Sequence, residues 1–197
     1  MAETTGVLLA AGAGSRLGGR AKALLPYRGE TFLEHLAAVL RSGGCSEIVV
    51  VLGGYSDLVT RAVDLRAYKV VQNTAWAQGM STSFRTGLAA VEAGSDALVA
   101  LVDQPGVTTE TVSRLIAAHQ PRRLTAAGYR ADDGILRRGH PLIFDRALIV
   151  EASGSATGDA GARDFLRVHR HLLDIVDCSD QSNGSDVDTA ADLELLT

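Results

Sequence analysis

Short apolar runs alternate with stretches of helical spacing along the first 130 residues, and this alternation limits the fold more than any other feature. Gly6 to Ala11, Ile48 to Leu52 and Ala97 to Val102 are unbroken apolar runs of strand length. Runs of that kind suit strands buried on both faces of a parallel sheet. Between them Thr31 and Glu34 have capping-box spacing ahead of Leu36, Val39 and Leu40, and Gly43-Gly44 is a stop signal. Further helices are predicted over Tyr55 to Arg66, from Ser81 through Phe84, Leu88 and Val91, and from Thr109 through Val112, Leu115 and Ile116. The pattern predicts an α/β fold over residues 1–197, a single-domain, Rossmann-like, mostly parallel sheet flanked by helices. Ligands of such a sheet bind beyond the carboxyl ends of its strands. After Tyr129 the pattern loosens, so Arg130 to Gly139 and Gly154 to Gly161 read as functional loops, with a closing helix from about Thr189 to Leu196.

The formal net charge of −4 offers no general attraction for nucleic acid, which leaves phosphate binding to local features. No apolar stretch reaches the roughly 18 residues of a membrane helix, and Met1 to Thr5 has no basic signal-peptide character, so the cytoplasm is the expected compartment. Cys45 and Cys178 are too far apart in sequence for a Cys-x-x-Cys motif and read as reduced thiols. His169 and His171 lack zincin spacing.

The segment from Leu9 to Gly19 is glycine-rich and follows the first strand directly. Glycine removes the β-carbon and permits positive φ, so such a loop can turn bare amides towards an anion. A Walker loop would need Lys and then Ser or Thr after Gly19, where Arg20-Ala21 stands, and a dinucleotide fingerprint would need glycine at Leu17. Arg16, Arg20 and Lys22 add three cations, about the charge needed to offset a triphosphate. A tight β–α turn with solvated basic residues has the same composition.

Asp103 ends the most apolar run ahead of Pro105-Gly106, so its carboxylate should emerge at the ligand-binding edge, where it is either a turn former or a magnesium ligand. Asp186 and Asp188 stand two apart and share a face if extended, although Asp188 or Thr189 could instead cap the final helix. Gly79-Met80-Ser81 opens a helix whose amino terminus suits an anion, and Ser81 and Ser83 could equally be caps. No Ser–His–Asp or Cys–His set is recognisable, which fits a transfer in which an ionised acceptor attacks directly.

Leu-Ala-Ala-Gly-x-Gly-Ser-Arg-x-Gly from Leu9, followed by Lys22-Ala-Leu-Leu-Pro26 and Gly29, resembles the signature of the MobA-like nucleotidyltransferases. Within that family the chain is most similar to molybdenum cofactor cytidylyltransferases. The likeness continues through Asn73 to Ser81, Asp103-Gln104-Pro105, Gly139-His140-Pro141, Gly158 to Arg163 and Asp186 to Thr189. The resemblance implies the nucleotide-diphospho-sugar transferase-like variant of the fold. It implies that Leu9, Ala10, Ala11, Gly12, Gly14, Ser15 and Lys22 hold a triphosphate, with Arg16, Lys22 and Asp103 catalytic. It further places Asn73, Gly79 and Ser81 at base and ribose, and Gly139, His140, Asp159 and Arg163 towards a pterin acceptor. Mg²⁺ would lie on Asp103 and Asp188. Ala11 suggests CTP rather than GTP, because CTP-using relatives tend to read Leu-Ala-Ala-Gly. The implied reaction moves CMP from CTP to molybdopterin or its molybdenum-loaded form, releases pyrophosphate, and supplies a molybdoenzyme or its chaperone. A sugar- or polyol-phosphate acceptor, or a non-catalytic cofactor-delivery chaperone, are the alternatives. A nicotinamide-dependent oxidoreductase is less favoured because of the fingerprint broken at Leu17.

Overall fold

A computed structural model describes residues 2–12, 14, 19–104, 106–189 and 191–192. In chain order the elements are β1 (Thr4–Ala10), β2 (Pro26–Tyr27), β3 (Glu30–Thr31), α1 (Phe32–Ser42), β4 (Glu47–Leu52), α2 (Ser56–Ala62), β5 (Lys69–Gln72), α3 (Met80–Ala89) and β6 (Asp96–Leu101). There follow α4 (Thr109–Ala118), β7 (Leu124–Arg130), β8 (Leu136–Phe144), α5 (Ile149–Ser155), α6 (Arg163–Val168) and β9 (Leu173–Asp177).

Seven strands form one sheet in the order β5-β4-β1-β6-β8-β7-β9, and only β8 runs against the rest. The strands β1, β4 and β6 correspond to the three apolar runs. Alternate side chains feed two cores: Leu8, Ile48, Val50, Leu52, Leu98 and Ala100 on the face of α1 and α4, and Val7, Val49, Val51, Ala97 and Val99 on the face of α3. A strand with both faces covered must be apolar throughout, which is why these runs do not alternate. The chain leaves β1 towards β4 on one side and leaves β6 towards β8 and β7 on the other. The boundary between β1 and β6 is therefore a topological switch point, where connections part and a crevice opens at the carboxyl edge.

The predicted capping box is present at α1. Glu34 N–H donates to Thr31 Oγ1, and Thr31 N–H donates to the Glu34 carboxylate. The helix stops at Ser42 before Gly43-Gly44. Three expectations change. The helix expected over Tyr55 to Arg66 covers only Ser56–Ala62, because Val63 is extended and Asp64 accepts from Arg66 N–H in a tight turn. The stretch Arg130 to Gly139 is largely a hairpin: Ala131 N–H donates to Ile135 O, and β8 begins at Leu136. The closing helix lies mostly outside the described residues. Among those described, Asp192 accepts from Asp188 N–H and from Thr189 N–H. No helix among the described residues is long and apolar enough to cross a membrane. Both cysteines are free and buried, and burial pushes the Cys45 thiol up to about 12.

Candidate active site

A cavity of about 500 Å³ opens at the carboxyl ends of β1 and β6, lined by Leu9, Ala10, Ala11, Gly12, Gly14, Lys22, Gly79, Asp103, Asp159, Asp186 and Asp188 among others. Its first wall is the glycine-rich loop. Gly14 has φ +56°, and a β-carbon there would stand 1.9 Å from Arg20 O, so only glycine lets the loop close. Gly19 N–H donates to Gly14 O at 3.1 Å, and Tyr55 O–H donates to Gly19 O. Ser15 and Arg16, expected at the phosphates, lie outside the described residues, as does Leu17.

Lys22 sits in a single-turn 3₁₀ helix beyond the loop, and its ammonium donates to Asp103 Oδ2 and Asp188 Oδ1, each at 2.6 Å. These three residues are 81 and 166 positions apart in sequence, yet a single cation bridges both carboxylates. Burial works against the ammonium, but Asp103 and then Asp188 outweigh it and hold Lys22 above its ordinary pKa. Val187 N–H donates to Asp103 O at 2.8 Å, which ties the Asp186 to Asp188 segment to the end of β6. Asp186 lines the same cavity. Its Oδ1 accepts from Gln104 Nε2 at 2.8 Å, while burial, with Asp103 and Asp188 as like-charged neighbours, raises its pKa.

These residues fit a divalent cation. Asp103 Oδ1 is buried with no hydrogen-bond partner, a costly condition that a hard cation relieves. Of the cavity's aspartates, Asp103, Asp186 and Asp188 lie near one another, and a lysine already marks where positive charge is stable.

At the amino terminus of α3, Gly79 takes φ +111°, and a β-carbon there would stand 2.6 Å from Asp159 Oδ1. Met80 N–H donates to that carboxylate at 3.3 Å. The helix end expected to meet nucleotide is therefore partly occupied by Asp159. Asn73 and Ser81 are buried and absent from the cavity lining. Asn73 Nδ2 donates to Thr82 Oγ1 at 2.8 Å and to Ser83 Oγ at 2.9 Å, so this side chain positions α3 from behind. Tyr55 and Trp76, which the sequence reading did not single out for this site, line the cavity instead, together with Ser83, which it left between an anion contact and a cap. The signal for Trp76 was the Gly53-Gly54 pair after β4, where a β-carbon would strike Ala11 or Trp76.

A second cavity of about 230 Å³ adjoins the first and shares Leu9, Met80, Leu101, Asp159 and Asp186 with it. It exists because β6 and β8 pair only as far as Val99 and Leu142, after which the strands part. Its floor is apolar, with Phe84, Leu142 and Phe144, and its rim carries Arg138, His140, Asp159 and Arg163. Neither Arg138 nor Arg163 pairs with a described carboxylate. Burial, then the Arg163 guanidinium, lowers the pKa of Arg138. Burial, then Arg138, pushes His140 down to about 4, so its ring is neutral near pH 7. Gly139 does not line the cavity: it admits the Tyr129 ring, whose hydroxyl donates to His140 O at 2.9 Å.

Residues 6–174 match the MobA-like NTP transferase domain model. The chain is 48% identical over 194 residues to nicotine blue oxidoreductase of Paenarthrobacter nicotinovorans, covering 98% of this chain and 95% of that protein. A molybdenum cofactor guanylyltransferase of Xanthomonas euvesicatoria pv. vesicatoria is 35% identical over 34% of this chain and 44% of its own. The crystal structure of Rv0371C from Mycobacterium tuberculosis H37Rv in complex with manganese superposes with a TM-score of 0.78 at 31% identity, over 98% of this chain and 97% of that one. The chain belongs to the MobA-like NTP transferase family.

Proposed function

We propose that this member of the MobA-like NTP transferase family transfers CMP from CTP to a molybdopterin-type acceptor and releases pyrophosphate. One observation carries the reading: Lys22 bridges Asp103 and Asp188 at the switch point, between the glycine-rich loop and the second cavity. The glycine-rich loop receives the triphosphate, and the Lys22 ammonium exchanges a carboxylate for phosphate oxygen as the nucleotide enters. Asp103 and Asp188, with Asp186 alongside, would hold Mg²⁺, which neutralises phosphate charge and orients the α-phosphate. Tyr55 and Trp76 are suited to flank the base, and Ala11 is the basis for preferring cytidine. The acceptor lies in the second cavity, its anionic group drawn by Arg138 and Arg163 and its ring system resting on the apolar floor. Its phosphate oxygen attacks the α-phosphorus, pyrophosphate leaves, and no enzyme nucleophile is needed. Cytoplasmic location and delivery of the product to a molybdoenzyme or its chaperone belong to the same reading.

Purified protein with Mg²⁺, CTP and molybdopterin is expected to release pyrophosphate, with GTP and sugar phosphates as comparison substrates. Asp103→Asn should reduce turnover by about 10²-fold or more, the scale of losing one preorganised charge at a reacting phosphate. No release from CTP with the wild-type protein, or full turnover by Asp103→Asn, would overturn the reading.

A second reading is favoured by the relative of nearly equal length that is named an oxidoreductase. The two cavities would then hold a dihydronicotinamide dinucleotide and an aromatic acceptor, with a hydride passing between them. Loss of dihydronicotinamide absorbance in the presence of a quinonoid acceptor, independent of divalent metal, would favour it.

A further inference from the structure

At the opposite edge of the sheet, three chain segments bring Asp96, His119 and Asp145 together, with one ligand atom from each lying within 4.8 Å of the others. Asp96 opens β6, His119 follows the last residue of α4, and Asp145 follows the last residue of β8. The carboxylates are nearly sealed from solvent, at 6% and 3% exposure, and the His119 side chain is 8% exposed.

The hydrogen-bond pattern leaves the centre of this cluster short of positive charge. His119 Nδ1 lies 2.8 Å from Thr125 Oγ1, whereas buried Nε2 has no hydrogen-bond partner. The nearest carboxylate oxygen, Asp96 Oδ2, stands 3.8 Å from Nε2, beyond hydrogen-bond reach. With Nδ1–H donated to Thr125, the Nε2 lone pair faces the carboxylates. The main chain fixes one oxygen of each: Arg146 N–H donates to Asp96 Oδ1 at 2.9 Å, and Ala147 N–H to Asp145 Oδ1 at 2.8 Å. Nearby cations are committed elsewhere, Arg123 to Asp174 and the Arg146 guanidinium to Gly94 O. Two buried carboxylates without a paired cation are strongly unfavourable.

We propose that Asp96, His119 and Asp145 form a structural binding site for a divalent cation of zinc or manganese type, separate from the nucleotide site and on the other edge of the sheet. One imidazole nitrogen and two carboxylate oxygens are a donor set for a borderline cation, with water completing the shell. The Thr125 hydroxyl supplies the outer contact that orients the ligating ring. Ligand spacing must contract by about an ångström to reach metal–ligand distances near 2.1 Å, within the range of small side-chain rotations. The bound ion would tie the start of β6 to the ends of α4 and β8, segments that no disulfide joins.

The test uses the full chain carrying Asp103→Asn and Asp188→Asn, which removes the two nucleotide-site carboxylates that Lys22 bridges and leaves Asp186 in place. After chelator treatment and dialysis against Zn²⁺ alone, elemental analysis is expected to find one equivalent per chain, reduced at least tenfold when His119→Gln is added. In the wild-type protein, where no folding defect can intervene, the ¹⁵N resonance of His119 Nε2 should shift on addition of Zn²⁺. Repetition with Mn²⁺ should selectively broaden that ring's signals. No retained metal in the double variant, retention unchanged by His119→Gln, or His119 resonances unmoved at saturating Zn²⁺ would each overturn the proposal. So would a doubly protonated His119 ring at neutral pH, since an imidazolium would then supply the missing charge.

Discussion

His140 is the residue where environment most clearly overrides intrinsic chemistry. The ordinary value for a histidine is 6.5, and burial beside Arg138 brings it to about 4. The folded ring is therefore neutral across most of the range in which an unfolded chain would protonate it. Above pH 6.5 both states are neutral and the group has no effect on stability. As pH falls from 6.5 towards 4 the unfolded state takes up a proton that the fold refuses, so stability declines, by up to about 3 kcal/mol over the whole window. Urea unfolding at pH 7 and pH 4.5 should show this decline in the wild-type protein and a smaller one in His140→Gln. Identical pH profiles for the two proteins would contradict the assignment. A neutral ring also suits the acceptor role proposed for the second cavity, since a third cation beside Arg138 and Arg163 would repel both. Lys22 shows the reverse balance, in which two carboxylates overcome burial and keep the charge in place.

Among the elements, α3 links the two cavities. Its first residue donates to Asp159, and Gly79 before it occupies a conformation that costs other residues about 1–3 kcal/mol. Gly79→Ala adds a β-carbon in direct conflict with Asp159 and Gly158, so it should destabilise the fold by about 2 kcal/mol or more. Part of that loss arises from Asp159, so the effects of Gly79→Ala and Asp159→Ala should be non-additive by about 1 kcal/mol in a double-mutant cycle read by urea midpoint. Strict additivity would mean that the loop does not dock as described. The same elements explain what the sequence revealed. β1, β4 and β6 were legible because burial on both faces leaves a continuous apolar run, and α1 because its cap is local. β5 is a four-residue edge strand with no such run, and the hairpin into β8 lies in a charged stretch that resembles a loop. Lys22, Asp103 and Asp188 were readable through motif resemblance, whereas Tyr55, Trp76 and Arg138 reach the cavities only through sheet order and the parting of β6 from β8.

At the scale of the whole molecule, the two edges of the sheet carry different kinds of buried charge. The carboxyl edge gathers three carboxylates around Lys22, and under the proposed function that site is completed by a nucleotide that brings its own metal. Ligand binding should therefore stabilise the entire fold in a metal-dependent way. At a CTP concentration one hundred times its dissociation constant, the linkage amounts to about 2.7 kcal/mol. For a chain of 197 residues this corresponds to a rise in Tm of roughly 5–11 °C. Thermal unfolding monitored by circular dichroism should show this rise with CTP and Mg²⁺, lose most of it with CTP and a chelator, and show less of it with GTP. If GTP raises Tm as much as CTP, Ala11 does not select the base. If the chelator leaves the shift intact, the carboxylates act without a metal, and the charge balance must rest on Lys22, the loop arginines and the loop amides.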